Sequence, residues 1–464
     1  MVAVCLDGRR SVLELKGRDV SKLLQNVATN DFSTTRLAAL TAAAAAPGAA
    51  GACQHACFLA NKGRVHVGDA LVFVPPPDDA SSSNSSSSSS GDVVPEDSIV
   101  LVDVASDLLP ALLQHLKAYK LRAKVTLRDA SSDYAAWALF ARSAAAEADV
   151  AAADAEAALR QTCAGLGAAA GGLGGGAAAL DPRSAALGVR AVLPRNSFPT
   201  PPAGGDTADA AWAALGCSTD AASWLRAGAD AEGRSADSAA ADGLALYDWV
   251  RLSQGLPEGS EWSGAVPLEL NLERLNGVSF TKGCYMGQEL TARTHFQGLV
   301  RKRALPVLLA PLPPLGPLPR WQALAARPGS PSGAVGVWSF PEAATAAGTA
   351  SERLCVQVGD QVVGAESGKV VGAIVSVACG RSGRGGVPGC PVAVAKLRLG
   401  AAGFGPNGSA REALVVVRPP AAAEASEGGG EAAAGDDAGA GEGVAVAAAA
   451  PYLPAWWPDE AGPK

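Results

Sequence analysis

The 464 residues contain no run of 18 or more strongly apolar side chains, and the alanine-rich patch at 41–46 is broken by Pro47 and Gly48. A helix that crosses a bilayer needs about 20 such residues, so no membrane span is expected. Basic residues are not in excess: 38 Lys and Arg stand against 45 Asp and Glu, a formal net charge of −7. They are not interleaved with aromatics over a long face either, which argues against nucleic acid as a partner. A regular cysteine framework is missing too. The nine cysteines, at 5, 53, 57, 163, 217, 284, 355, 379 and 390, are odd in number and irregularly spaced, which fits a reducing compartment better than a disulfide scaffold. No Arg/Ser-rich leader precedes the first core element, because residues 2–6 and 11–15 already read as strands; no presequence is visible.

What is present is a globular chain interrupted by Ala/Gly/Ser-rich blocks. Residues 11–17 alternate as a strand, and Asp19 can cap a helix whose Val20, Leu23, Leu24 and Val27 share one face. Strands are expected at 53–59 and 65–74, joined at Asn61-Lys62-Gly63, and at 99–104 beyond an inserted loop of prolines and serines. A helix capped around Ser106 buries Leu109, Leu112, Leu113 and Leu116. Residues 123–129 and 137–141 then read as strands of a second, βαβ-like layer of mixed sheet. Order dissolves into Ala and Gly from 144 to 179 and resumes at 180–192; 244–253 is an amphipathic helix carrying Tyr247, Trp249 and Arg251. Beyond Arg303, strands at 305–309, 334–340, 356–358, 369–377, 392–399 and 413–417 have the spacing of a small β-barrel. Cys355, Cys379 and Cys390 lie in or near these strands without CxxC spacing and read as structural. Residues 421–443 hold six acidic side chains with no Lys or Arg and cannot bury enough apolar surface to fold. Trp456 and Trp457 near the end would be costly to leave in water, so they are expected to dock on the body or a partner.

Two stretches invite chemistry. Cys53, His55 and Cys57 could share one face of a strand, but a structural zinc site needs a second ligand pair nearby and none is apparent. The stretch 278–303, VSFTKGCYMGQELTARTHFQGLVRKR, is richer. Lys282 to Glu289 read as a tight turn running into a short helix, with Gly283 and Gly287 permitting close approach or positive φ. Cys284 would then lie near a helix start beside Lys282, and both neighbours favour a thiolate. The alternative is a buried cysteine acting as a small apolar residue. His295 reads as a satisfied structural histidine more readily than as a ligand, and Arg301, Lys302 and Arg303 as a solvated charge run.

KGCYMGQE, preceded by Pro267-Leu268-Glu269-Leu270-Asn271-Leu272 and Gly277-Val278-Ser279-Phe280 and followed by Thr291-Ala292-Arg293-Thr294, resembles the signature of the YgfZ-type folate-binding proteins, relatives of the glycine cleavage T protein, an aminomethyltransferase. The "TND" at Thr29-Asn30-Asp31, the "DPR, LG, R" string in 180–192 and the terminal WWP resemble the same family. Its mitochondrial members act as assembly factors for iron-sulfur proteins. The resemblance implies an α+β aminomethyltransferase-like fold with a C-terminal β-barrel and bound tetrahydrofolate. It implies 1–142 as the folate-binding domain with a disordered loop at 75–95, and 143–179 as a low-complexity insertion. Residues 180–303 form a second α+β segment with an insertion at 200–240, 304–420 the barrel, 421–450 an acidic linker and 451–464 an aromatic tail. Cys284 would be the functional thiol and a transient iron-sulfur ligand, with Lys282 beside it. Tyr285, Gln288, Glu289 and Arg293 would serve the folate. In the family three residues separate the Gly-Arg of the hairpin from an Asp; here four do, so Asp69 comes one residue late, and either the hairpin bulges or the aspartate is absent from the site. One cysteine cannot hold a cluster alone, which implies a carrier partner of the A-type and recipient 4Fe-4S enzymes. The rival reading is a tetrahydrofolate-dependent aminomethyltransferase, which KGCYMGQE and the displaced Asp69 disfavour. The mitochondrial matrix is the expected compartment, with the plastid stroma as alternative.

Overall fold

The computed structural model describes residues 2–44, 52–76, 98–142, 157, 159–166, 175–196, 236–310, 337–338, 356–378, 392–402, 414–419, 444–454 and 456–457. They fall into two compact units, one from residues 1–247, 258–298 and 328–339, the other from 248–257, 299–327 and 340–464. The unit boundaries thus merge the two expected α+β segments into one body.

The first unit is built on two five-stranded sheets. One has the order β3-β4-β5-β2-β6, from β3 (Ala52–Leu59), β4 (Val65–Val74), β5 (Ile99–Ala105), β2 (Arg10–Lys16) and β6 (Thr126–Asp129). The second runs β1-β7-β9-β8, from β1 (Val2–Cys5), β7 (Tyr134–Arg142), β9 (Val189–Pro194) and β8 (Ala177–Leu180). Val337–Trp338 (β11) adds to β7 in parallel. Helices α1 (Val20–Val27), α2 (Thr34–Ala44) and α3 (Leu109–Lys120) cover one face of the first sheet, where Val20, Leu23, Leu24, Leu112 and Leu116 meet Phe58, Val72 and Val102. The two sheets meet through Val12, Leu71, Phe73, Leu101 and Val192.

The expected second βαβ layer is corrected here. β6 joins the first sheet, with β2 lying between it and β5, while β7 enters the second sheet; antiparallel partners were nearer than a parallel crossover required. The cap of α3 is Leu108, with Pro110 in the first turn; the Ser106 hydroxyl instead bonds Ser11 at 2.9 Å. Within the expected insertion at 143–179, residues 159–166 are helical and bury Leu159 and Leu166 against Trp137 and Leu139, so two leucines suffice to anchor an Ala-rich segment.

His115 of α3 packs edge-on to Phe58 and beside the rings of His66 and Tyr119, and its Nε2 is buried without a hydrogen-bond partner. Burial first, and the neighbouring His66 second, pull its pKa down from 6.5 to about 4. The folded value lies below the unfolded one, so the stability His115 contributes is complete above pH 6.5 and is lost as pH falls from there towards about 4. The drop in urea midpoint between pH 7 and pH 5 should therefore be smaller in His115→Phe than in wild type, whereas equal drops would assign the acid sensitivity elsewhere.

The second unit holds a closed barrel in the order β10-β14-β13-β12-β15-β16. Its strands are β10 (Lys302–Ala310), β12 (Gln361–Gly364), β13 (Val370–Ala378), β14 (Val392–Arg398), β15 (Leu414–Arg418) and β16 (Val444–Pro451). Leu305, Val362, Ile374, Ala395, Val416 and Trp457 fill it. Three expectations fail here. Residues 356–358, expected as a strand, are a turn and its approach, and the strand of this region, β12, begins at Gln361. Of 334–340 only Val337–Trp338 is described as strand, and it belongs to the second sheet of the first unit. Residues 444–450, expected as linker, form β16, which pairs with both β10 and β15. Alanines bury little area, but a strand taken up between two others gains backbone partners on each side, from β15 over 444–449 and from β10 over 448–451, and small side chains suit a tight interior. The aromatic pair docks as expected: Trp457 is 6% exposed and the Trp456 Nε1–H donates to Gln254 O at 2.9 Å. Among the described residues no helix is long and apolar enough to cross a membrane.

Candidate functional site

The signature is a loop stitched to the end of α1. α1 stops at Val27, leaving carbonyls with no helical partner, and the chain turns through Thr29-Asn30-Asp31. The Lys282 ammonium donates to three of these carbonyls, Gln25 O at 2.9 Å, Ala28 O at 2.8 Å and Asn30 O at 2.7 Å. The Thr29 hydroxyl donates to Gly277 O at 2.5 Å, and the Asn30 amide donates to Asn276 O at 2.7 Å and His55 O at 2.9 Å. The Ser279 and Met286 amides return bonds to Thr29 O and Asn26 O. The TND turn and the signature, about 250 residues apart, therefore form one structural joint.

Lys282 thus holds the joint, and its ammonium is committed to carbonyls on α1 and the turn after it. Burial pulls its pKa down to about 8, while the ring of Tyr285 lies 5.0 Å from the Nζ. In Lys282→Met the three carbonyls lose their donor, which should cost about 1–3 kcal/mol in a urea titration; a loss below ~0.5 kcal/mol would place the cap elsewhere.

Beyond Lys282 the chain rises to the surface. Cys284 is exposed, and the Gln288 side chain clasps the turn: its Oε1 accepts the Tyr285 amide at 3.0 Å and its Nε2 points to the Cys284 Sγ at 3.6 Å. Gly287, at φ 77, precedes α5 (Gln288–Gln297; α4 is Ala236–Ser253), which begins four residues after the thiol. A Cβ on Gly287 would meet Ala60 O and Leu59 Cβ at 2.8 Å, so the hairpin turn after β3 fits against the start of α5 only with glycine there. Tyr285 is half-buried, and burial lifts its hydroxyl to about 12. Glu289 and Arg293 lie exposed on α5. His295 stacks on Phe280 with centroids 3.6 Å apart, and Phe296 meets both rings edge-on. The charge run divides: Arg301 is exposed, while Arg303 is buried with its guanidinium 6.0 Å from the Trp457 ring.

Asp69 lies elsewhere, in a buried ion network between the two sheets. In the β3–β4 ladder, Ala56 pairs with Ala70 and Phe58 with Val67, so Gly68 and Asp69 both face Cys57. This is the bulge that the late aspartate required, and it makes Asp69 a buried strand residue rather than a turn residue. Its Oδ2 accepts from Arg10 Nη1 and from the Gly259 amide at 3.1 Å, while Oδ1 is buried without a partner. Arg10 also donates from Nε to Asp103 Oδ1 at 2.7 Å, and Arg190 from Nε to Asp103 Oδ2 at 2.6 Å. Arg190 Nη1 donates to the Tyr247 hydroxyl at 2.8 Å, and that hydroxyl donates to Glu258, which also accepts from Arg183 at 3.3 Å. Arg183 is held by both oxygens of Asp181. Burial alone would raise the Asp103 carboxyl, but Arg10 and Arg190 outweigh it and hold it below the usual value. Sequence reading did not single out this network. Its signal was a charge inside an apolar strand, as with Asp103 in IVLVDVA or Arg190 in VRAVLP, because a buried charge requires a buried partner.

The Cys53/His55/Cys57 strand serves packing. Both His55 ring nitrogens lie at carbonyls, 2.8 Å from Leu275 O and 3.1 Å from Gly68 O, and burial raises both thiols well above their ordinary range. Among the described residues no three His, Cys, Asp or Glu gather around a metal position.

The site is thus an exposed thiol on a loop pinned to the end of α1, and the chain that carries it is similar over part of its length to iron-sulfur cluster assembly factors. In particular, the chain is 56% identical over 68 residues to the iron-sulfur cluster assembly factor IBA57 homolog, mitochondrial, of Dictyostelium discoideum, covering 14% of this chain and 17% of that one. It is 55% identical over 84 residues to the human iron-sulfur cluster assembly factor IBA57, mitochondrial, covering 17% and 24%. The matched stretches span about a fifth of the length of these curated relatives. The similarity bears out the resemblance carried by the signature. Among solved structures the chain is similar to the glycine cleavage system aminomethyltransferase T of Bartonella henselae, with TM-score 0.47 and 11% identity over 100% of this chain and 87% of that one. No family model matches the chain.

Proposed function

We propose that this protein is a folate-dependent accessory factor in the maturation of mitochondrial 4Fe-4S proteins. The observation that carries the reading is Cys284: an exposed thiol on a loop that Lys282 and Gln288 hold in place, in a chain similar over part of its length to assembly factors named as mitochondrial. The Gln288 amide offers the sulfur a hydrogen, and its exposure leaves room for a second protein. A lone thiolate supplies one of the four ligands an iron-sulfur cluster normally takes, so the cluster is cargo shared with a carrier of the A-type and passed to 4Fe-4S recipients.

Tetrahydrofolate fits best near Asp69. Its unpartnered Oδ1 and the unpartnered Arg190 Nη2 are an acceptor and a donor of the kinds a pterin's ring N–H groups and carbonyl require. Glu289 and Arg293, exposed on α5, would be left to the glutamate tail or to solvent. The pterin would supply a reduced ring or one-carbon chemistry; the chain's own residues bind and orient it.

The test is complementation in cells depleted of the native protein, with a mitochondrial 4Fe-4S enzyme and glycine cleavage flux assayed together. Restoration of the 4Fe-4S enzyme, with no aminomethyl transfer by the purified protein, supports the proposal. Aminomethyl transfer by the purified protein without restoration supports the aminomethyltransferase instead.

A further inference from the structure

At one end of the first sheet three chain segments converge. The Gly17 amide donates to Ser98 O at 3.1 Å, the Lys124 amide donates to Asp19 Oδ2 at 2.7 Å, and Lys16 pairs with Ile99 on one side and Thr126 on the other. Gly17 approaches the Lys124 carbonyl so closely that a Cβ there would lie 2.2 Å from its oxygen. The convergence gathers Lys16, Arg18, Lys22, Lys120, Arg122 and Lys124 on one edge, five of them exposed and Lys120 half-buried. Asp19 accepts the Lys124 amide; Glu96 and Asp97 precede Ser98 in sequence and lie outside the described residues. Among the described residues the edge is thus cationic, on a chain whose net charge is −7.

Among these cations stands Leu121, 86% exposed, at the end of α3 with φ 47. A leucine is doubly misplaced there: its side chain packs in no core, and its backbone occupies the left-handed region that favours glycine. Glycine would relieve the conformation and expose less apolar surface, so stability does not account for the leucine. Ile99, 37% exposed and paired to Lys16, adds a second apolar group to the same edge.

A folded protein partner needs about 1,000 Å² of complementary surface to hold a specific contact. One projecting leucine with an isoleucine nearby offers little to build it from. An anionic bilayer makes no such demand: the leucine enters the boundary between headgroups and acyl chains, and the long Lys and Arg side chains reach the phosphates around it. We propose that this edge, with Leu121 at its tip and the surrounding cations, docks the protein reversibly on an anionic lipid surface. Attraction then depends on orientation, because the chain as a whole is repelled.

The full chain is floated with vesicles of phosphatidylcholine alone, or with about a third of phosphatidylglycerol, at low and raised salt. Binding is expected only to the anionic vesicles and to weaken with salt. Arg122→Glu with Lys124→Glu should lower partition by at least about twentyfold, since each cation near such a surface contributes about fivefold. Leu121→Gly should lower it about tenfold, the worth of one leucine leaving an apolar phase, with a urea midpoint unchanged or raised. Val358→Ser, at an exposed apolar residue of the barrel unit, should leave binding unchanged. No binding to anionic vesicles overturns the proposal, as does binding that both the Leu121 and the charge variants leave unchanged. Retention on a soluble polyanion such as heparin, independent of Leu121 and without vesicle binding, overturns it in favour of a soluble acidic partner. A lowered midpoint in Leu121→Gly makes the leucine structural and overturns its role.

Discussion

Asp103→Ala should destabilise the first unit by about 3–5 kcal/mol, enough to unfold a domain of ordinary stability near body temperature. Asp103 is fully buried and its two oxygens accept from Arg10 and Arg190, themselves buried. Removing the carboxylate leaves two guanidiniums short of countercharge where water cannot replace it. The loss reflects the stranded charges more than the worth of the pair. Its pH dependence follows from the depressed carboxyl. Stability from Asp103 is present above its unfolded value of 3.8 and is lost as pH falls through the lower folded value. Urea titrations at pH 7 give the first quantity, and a loss of less than ~1 kcal/mol would falsify this account of the network.

Cys284→Ala should do the reverse, leaving the urea midpoint within about 0.5 kcal/mol of wild type because an exposed side chain contributes little to packing. In depleted cells it should restore a 4Fe-4S enzyme to about a tenth of the wild-type level or less, since no other atom of the loop can replace a thiolate ligand. Cys284→Ser provides a further control, because it keeps the size and a hydrogen-bonding atom while removing the sulfur. Full rescue by either variant makes the motif architectural, and the folate site near Asp69 would then have to carry the function by itself.

Much of this was legible in the sequence, for reasons that can be named. Val20, Leu23, Leu24 and Val27 specified α1 because an apolar stripe at helical spacing has one stable solution, and 65–74 alternated clearly enough to fix β4 to the residue. The loop at 282–289 was readable as a turn because Gly287 and the helix formers after it allow little else. What escaped was set by long-range contacts. Lys282 read as a neighbour that would activate Cys284, but three carbonyls from residues 25–30 claim its ammonium. The ion network joins residues as far apart in the chain as Arg10 and Glu258, and no local period encodes such a pairing. β16 escaped because composition governs whether a segment folds alone, not whether two waiting strand edges will take it in.

That last strand has a consequence for synthesis. The barrel's first strand, β10, and β15 both await β16, which the ribosome delivers more than a hundred residues after β10. Until then two strand edges stay open, inviting pairing with other nascent chains. A stop codon anywhere between the codons for β15 and β16 would remove few core side chains and yet release a ring that cannot shut. Quality control of such a product would be decided by its unpaired backbone rather than by missing hydrophobic bulk.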